Sequence, residues 1–118
     1  MDWPGQIDAA REIEIETRKA EDAPAHRTPI WIVVNGGDVF VRSVRGKEGR
    51  WYCEISANPA AVIHVDGESV PVRATAAADP ESVQRATAGY ESKYSDSSAL
   101  DSVLRDEILD TTLRLEPS

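Results

Sequence analysis

The sequence predicts an α+β protein, mainly β with helices, in which six short strands form an antiparallel sheet that closes into a small barrel. Three observations support this fold class. Short alternating or β-branched apolar segments recur along the chain, two tight-turn sequences join consecutive segments, and helical patterns interrupt them. Consecutive hairpins produce an antiparallel sheet, and short strands interrupted by helices favour a barrel over an open parallel sheet.

The first half of the chain predicts a short helical turn within residues 1–11 and then three strands. The strands span residues 12–17, 29–34 and 39–44, with a polar loop over 18–28. The first alternates acid with apolar, which places Ile13 and Ile15 inward, and the second is a continuous β-branched run typical of a strand covered on both faces. Asn35-Gly36-Gly37-Asp38 predicts a tight hairpin between the last two, because Asn and Gly tolerate positive φ.

The second half predicts three helical segments and three more strands. They are a helix over 50–57, a hairpin of strands 61–65 and 69–76, a helix after Asp79-Pro80-Glu81, an amphipathic segment over 100–108 and a closing strand over 112–115. Trp51 and Ile55 share one face of the first helix. Asp79 is a typical N-cap with Pro at the first helical position.

Length and composition predict one cytoplasmic domain. The chain has 118 residues, of which 41% are hydrophobic, enough for one core and too few for two. No apolar run approaches the roughly 18 residues of a membrane helix, and the start does not resemble a signal peptide. The single Cys53 excludes a disulfide framework, and we interpret it as a small buried residue.

The charge distribution points to an anion site within an acidic protein. The net charge of −8 opposes binding to nucleic acid and to anionic membranes, so neither is predicted as a partner. Residues 42–52 nevertheless form a basic island of net +3. It contains Arg42, Arg45, Lys47 and Arg50 against the single acid Glu48. Guanidinium groups fit phosphate, and helix amides starting at Arg50 would favour the same anion.

The aromatic residues Trp51 and Tyr52 directly follow Arg50 at the end of the basic island, so the combination suits a phosphorylated aromatic cofactor. The alternative is that these basic residues pair with the surplus acids. No catalytic residue and no metal site are predicted. His26 and His64 lack partners at ligand spacing, and the carboxylates of Glu12, Glu14 and Glu16 are interpreted as solvated charge.

Several segments together resemble a known bacterial family. They are Ile13–Lys19, Pro29–Val34, Val39–Arg45, Trp51-Tyr52, Lys93-Tyr94 and Thr112–Pro117. In this order and spacing the chain resembles domain-of-unknown-function family 2255. That family is similar to flavin- and deazaflavin-binding split β-barrels, which include the pyridoxamine-phosphate-oxidase-like proteins and the deazaflavin-dependent nitroreductases. Thr17-Arg18-Lys19, Arg27–Trp31, Arg42-Ser43, Trp51-Tyr52 and Asn58-Pro59 stand where the nitroreductase-like branch carries its own motifs.

The resemblance implies a six-stranded antiparallel split β-barrel of the FMN-binding type. It implies FMN or a deazaflavin as cofactor and hydride-transfer oxidoreductase chemistry, often in a site between two subunits. The implied cofactor-binding residues are Arg18, Lys19, Trp31, Arg42, Ser43, Arg45, Arg50, Trp51 and Tyr94. A homodimer is also expected because a barrel of this length leaves apolar faces uncovered.

Two other functions remain open at this point. The same pocket could hold a cofactor or haem without turnover. Alternatively, the barrel could be a ligand-free dimeric interaction protein, since Glu21 and Asp22 follow Lys19 and would repel a phosphate there.

Overall fold

The computed structural model describes residues 3–10 and 13–118; residues 1, 2, 11 and 12, on which parts of the predicted N-terminal turn and first strand fall, lie outside the described residues. Within the described residues, four helices and seven strands follow one another along the chain. In order they are α1 (Trp3–Ala9), β1 (Ile13–Thr17), β2 (His26–Ile30), β3 (Ile32–Asn35), β4 (Asp38–Val41), α2 (Arg50–Ala57), β5 (Ala60–Val65), β6 (Glu68–Ala76), α3 (Pro80–Lys93), α4 (Asp101–Leu104) and β7 (Leu113–Pro117). Single 3₁₀ segments cover Gly46–Glu48 and Asp106–Thr111.

All seven strands belong to one antiparallel sheet with the order β2-β1-β5-β6-β7-β4-β3. The two edge strands, β2 and β3, are separated in the chain only by Trp31. One bent segment therefore supplies both edges of the sheet, which curls into the predicted split barrel. The sequence predicts a single strand here; the structure has two because residues on either side of Trp31 pair with different neighbours, β1 and β4.

The local predictions for the sheet are largely confirmed. Ile13 and Ile15 are buried, and the β3–β4 hairpin turns at Gly36 and Gly37, whose φ values are 64° and 84°. Such a two-residue turn matches the twist of the flanking strands. A second hairpin turns at Asp66 and Gly67, also with positive φ.

The core has two parts, which lie on opposite faces of the sheet. The barrel interior contains residues such as Ile15, Ile32 and Ile63, together with Trp51 and Ile55 of α2. The second part lies under α3, where Val33 and Phe40 pack against Tyr90 and its neighbours. The segment from Ile32 to Val33 is thus covered on both faces, as its apolar run predicts.

Three elements differ from the sequence predictions by more than two residues. Strand β4 ends at Val41 rather than at residue 44, and β2 begins at His26 inside the predicted loop. The predicted amphipathic helix over 100–108 is divided into α4 and a 3₁₀ segment, because Arg105 is extended (φ −64°, ψ 139°). Arg105 is held there by hydrogen bonds to the carbonyl groups of Ser102 and Val44.

The expectation of uncovered apolar faces is wrong for the described surface. Among residues 3–10 and 13–118, Val44 is the one large hydrophobic residue whose side chain is exposed, at 44%. The helices cover the rest, because α2 and α3 fold back on the sheet. None of the helices in these residues combines the length and apolar character needed to cross a bilayer.

Candidate functional site

A cavity of about 590 Å³ opens where the bend between β2 and β3 faces the loop after β4. The N-terminus of α2 and part of α4 complete its walls. Its lining residues are Thr28, Pro29, Ile30, Trp31, Arg42, Ser43, Val44, Arg45, Gly49, Arg50, Trp51, Ser102 and Val103. This volume lies within the range of roughly 300–1,000 Å³ that is usual for small-molecule sites. Among these lining residues there are three arginines and no acid.

Arg42 is a buried cation whose hydrogen-bond acceptors among the described residues are all neutral. Its side chain is 2% exposed, and it donates to Thr112 Oγ1 (2.9 Å), Val103 O (2.9 Å), Val83 O (2.9 Å) and Thr87 Oγ1 (2.8 Å). Desolvation lowers the pKa of Arg42 below its usual value, but an arginine remains charged at neutral pH. The cavity wall therefore carries a fixed positive charge that none of the lining residues cancels.

Ser43 is also buried and lines the cavity beside Arg42. In a regular strand these two neighbours would face opposite sides, but β4 has already ended at Val41, so the alternation no longer applies. The Ser43 hydroxyl donates to Gly46 O at 2.6 Å. A Cβ at Gly49 would lie 2.7 Å from Ser43 Oγ, so this close approach requires glycine.

Arg45 and Arg50 contribute two exposed guanidinium groups to the cavity, and neither has an acid partner among the described residues. Lys47, the other cation of the basic island, instead pairs with Asp110 at 2.9 Å. Helix α2 starts at the cavity with Gly49 as its N-cap and with no side-chain cap. Its first helical bond runs from Cys53 N to Gly49 O, which leaves the preceding amides without helical acceptors.

Two indole rings line the same cavity. The Tyr94 ring stacks on Trp31 at a centroid distance of 4.2 Å and an interplanar angle of 4°. Tyr94 itself is buried and does not line the cavity, so it supports Trp31 from behind. Trp51 belongs to α2, and its ring lies at 76° to the ring of Tyr52, with the two centroids 6.2 Å apart.

Of the nine sequence-predicted binding residues, the structure brings six to this cavity: Trp31, Arg42, Ser43, Arg45, Arg50 and Trp51. Arg18 and Lys19 do not line the cavity of their own chain. Arg18 follows the end of β1, where it pairs with Glu16 at 3.4 Å and donates to Glu21 O. Lys19 is exposed and is not part of the lining.

The cavity also contains residues that were not predicted to bind. Ser102 and Val103 come from α4, and no local sequence signal connects them to the basic island. Thr28 and Pro29 could have been found, because they lie within the motif around Trp31. Cys53 is exposed rather than buried, since its position on α2 faces away from the core and its thiol contacts Lys47 O at 3.2 Å.

Within the described part of the chain, no group of three or more His, Cys, Asp or Glu side chains is arranged to hold a metal ion.

The protein family follows from a match along nearly the whole chain. The model of DUF2255, described as an uncharacterized protein conserved in bacteria, matches residues 5–115. The chain belongs to this family. Among curated proteins, no sequence matches this DUF2255 chain.

Solved structures similar to this DUF2255 protein share its fold at low sequence identity. HutZ, the heme storage protein from Vibrio cholerae, superposes with a TM-score of 0.70 at 14% identity, covering 93% of this chain and 83% of HutZ. An F420-H2 dependent reductase gives 0.67 at 15% identity, covering 90% and 94%. A Listeria innocua protein whose name suggests a pyridoxamine 5′-phosphate oxidase gives 0.65 at 13% identity, covering 97% and 89%. These similarities establish the split-barrel fold.

Proposed function

We propose that the cavity binds a phosphorylated flavin or deazaflavin, and that the protein uses it for hydride-transfer redox chemistry. One observation supports this most directly. Three arginines and two indoles line one cavity without any acid, in a chain of net charge −8. Lys47 and Arg18, which do not line the cavity, instead pair with carboxylates.

The phosphate would be held by Arg45 and Arg50 together with the first amides of α2. Both guanidinium groups are exposed and offer planar donors suited to phosphate oxygens. The helix start adds partial positive charge in the same place. Arg42 would act mainly through its positive charge, because four of its five N–H donors already bind protein acceptors.

The ring would pack on the indoles of Trp31 and Trp51. Tyr94 stacks on one face of Trp31 and holds the indole in place. The cofactor ring could then pack on Trp31 with little further loss of side-chain entropy. When bound, the cofactor supplies the hydride chemistry, and the protein supplies orientation, stacking and charge. This division fits a cavity lined by arginines, serines, indoles and small residues, with no pair of groups arranged for acid–base catalysis.

Haem binding without turnover is the second candidate, because the similar HutZ structure is that of a heme storage protein. Haem iron needs an axial ligand such as His, Cys, Met or Tyr. The lining residues include none of these, which favours a flavin over haem in this cavity.

The test is a titration of the purified chain with FMN, riboflavin and deazaflavin, in which binding is monitored by tryptophan fluorescence. We expect FMN to bind more tightly than riboflavin, which lacks the phosphate. Arg45→Gln and Arg50→Gln should each weaken FMN about tenfold, since one charge-assisted hydrogen bond contributes about 1.5 kcal/mol.

The matched control is Lys47→Gln, which removes a cation of the same basic island outside the cavity. It should leave FMN affinity unchanged. A fluorescence signal unaffected by all three ligands would end the cofactor proposal, as would equal losses in the Lys47 and Arg45 variants. Reduction of the bound flavin followed by oxidation with a nitro acceptor distinguishes an oxidoreductase from a non-catalytic binding module.

We also propose that the protein forms a homodimer through the rim of this cavity. Val44 supports this, because it is both exposed and part of the lining. A second copy covering Val44 would bury apolar surface and shield the open side of the cavity from water.

A further inference from the structure

Three polar side chains form a row across the outer face of the barrel, away from the cofactor cavity. In β1, β5 and β6 the residues Ile13, Ile15, Ile63 and Val70 point into the core, so their sequence neighbours point outward. His64 lies opposite Ser69 in the β5–β6 pair and opposite Glu14 in the β1–β5 pair. Glu16, two residues after Glu14, is therefore the diagonal neighbour of His64 on the same face.

Hydrogen bonds connect this row into a relay. Ser69 Oγ lies 2.9 Å from His64 Nδ1, and His64 Nε2 lies 2.9 Å from Glu16 Oε1. The hydrogen bond from His64 lowers the pKa of Glu16, and a bond from Arg18 at 3.4 Å acts in the same direction. An ionised Glu16 only accepts, so Nε2 of the neutral imidazole carries the proton and Nδ1 is left to accept from Ser69.

A second cavity, of about 560 Å³, gives access to this relay. Both His64 and Ser69 line it, and Ser69 is exposed to solvent. Three acids (Glu14, Asp66 and Glu68) and one cation (Arg27) line the same cavity. The cavity therefore disfavours anions, because its one cation, Arg27, is already paired with Glu14 at 2.9 Å.

We propose that Ser69 is an activated nucleophile, with His64 as its general base and Glu16 as the residue that orients the base, and that it cleaves small neutral or cationic esters. This arrangement satisfies the geometric relation of nucleophile, base and orienting acid. The proposal is independent of the cofactor cavity and would survive the failure of flavin binding.

The proposed step is an acyl transfer to serine. His64 Nδ1 takes the Ser69 hydroxyl proton as Oγ bonds to the ester carbonyl carbon. The carbon–oxygen bond to the leaving alcohol then breaks, and that alcohol receives the proton from His64. Water, deprotonated by the same nitrogen, releases the acid from the acyl-serine and restores the Ser69 hydroxyl.

The test uses the purified full-length chain with p-nitrophenyl acetate, a small neutral ester, and with a fluorophosphonate probe followed by peptide mass spectrometry. We expect the probe on Ser69 and a protein-dependent release of nitrophenol. Ser69→Ala and His64→Gln should lower that release by about a hundredfold, within the usual contribution of a general base. Glu16→Gln should lower the rate while leaving Ser69 present, because an amide can donate to Nε2 and reverse the tautomer.

The control is Ser92→Ala, an exposed serine on α3, which should retain the full rate. Ser69→Ala and Ser92→Ala should keep the wild-type melting temperature within a few degrees, because both serines are exposed; the melting temperatures of the His64 and Glu16 variants are measured alongside, since these two side chains are largely buried. Ser69→Ala should also bind FMN as the wild type does, which separates this site from the cofactor cavity. Absence of probe on Ser69, or equal rates in the Ser69 and Ser92 variants, would overturn the proposal.

Discussion

Burying the Arg42 guanidinium costs desolvation free energy, and its four hydrogen bonds compensate for that cost. Its acceptors come from three different parts of the chain: Val83 and Thr87 of α3, Val103 of α4, and Thr112 just before β7. Its guanidinium carbon also lies 5.5 Å from the centre of the Tyr90 ring. One side chain thus joins three segments that the local sequence does not connect, and the same side chain gives the cavity its buried charge.

Replacing Arg42 by Met should therefore destabilise the fold by about 3 kcal/mol or more, because several buried acceptors lose their donors together. Arg42→Lys should be intermediate, since an ammonium group cannot reach all four acceptors in a fork. Urea unfolding followed by circular dichroism measures the difference. The exposed Arg73→Met is the control and should stay within about 0.5 kcal/mol of the wild type; equal midpoints for the two methionine variants would contradict this role.

At the scale of elements, Gly89 is the point at which α3 faces Val33 of β3 without a side chain of its own. A Cβ at Gly89 would approach Val33 Cγ2 to 3.0 Å and Val33 Cβ to 3.1 Å. The absence of a side chain at this point lets the helix cover β3 tightly and brings Tyr90 and Tyr94 into the second core.

Gly89→Ala should destabilise the protein by about 1 kcal/mol, even though Ala is the better helix former by a similar amount. The reason is the shift that the new methyl group imposes on Val33. A double-mutant cycle with Val33→Ala tests this by urea unfolding, since the smaller partner makes room for the added methyl group and the two losses should be less than additive by at least about 0.5 kcal/mol. Strict additivity would show that Gly89 and Val33 do not restrict each other.

Most elements could be predicted from sequence because their signals are local. The Asp79 carboxylate accepts from Ser82 N at 3.1 Å, as its N-cap pattern predicts, and both hairpins turn where Asn-Gly-Gly and Asp-Gly stand. The division of one strand at Trp31 could not be predicted. The apolar run through Ile30 and Ile32 is continuous, and only the distant partners β1 and β4 determine that it bends.

At the scale of the whole molecule, the charge is divided between an acidic surface and a basic cavity. The basic island could be predicted because its cations are adjacent in the chain. Which cations line the cavity could not be predicted, because distant carboxylates decide it: Lys47 pairs with Asp110, and Arg18, outside the island, pairs with Glu16. Ser102 lies far along the chain from the island, so its place in the lining follows only from the packing of α4.

The proposed homodimer is tested at the same scale by sedimentation velocity at micromolar concentration. We expect a species of twice the 12.9 kDa chain mass. Val44→Glu should shift it toward the monomer, because it introduces a charge on the exposed apolar residue at the cavity rim. Gln84→Glu adds the same charge on the exposed side of α3 and should leave the mass unchanged. A wild-type protein that sediments only as a monomer would contradict the dimer.

The bend at Trp31 has a consequence for the way an occupied cavity would be detected. The residue is both part of the lining and the junction between the two outermost strands. A ligand packed on the Trp31 indole would therefore reduce local opening of both edge strands, β2 and β3, at the same time. Slower amide hydrogen exchange in β2 and β3 together would report loading, even for a colourless compound that leaves no optical trace.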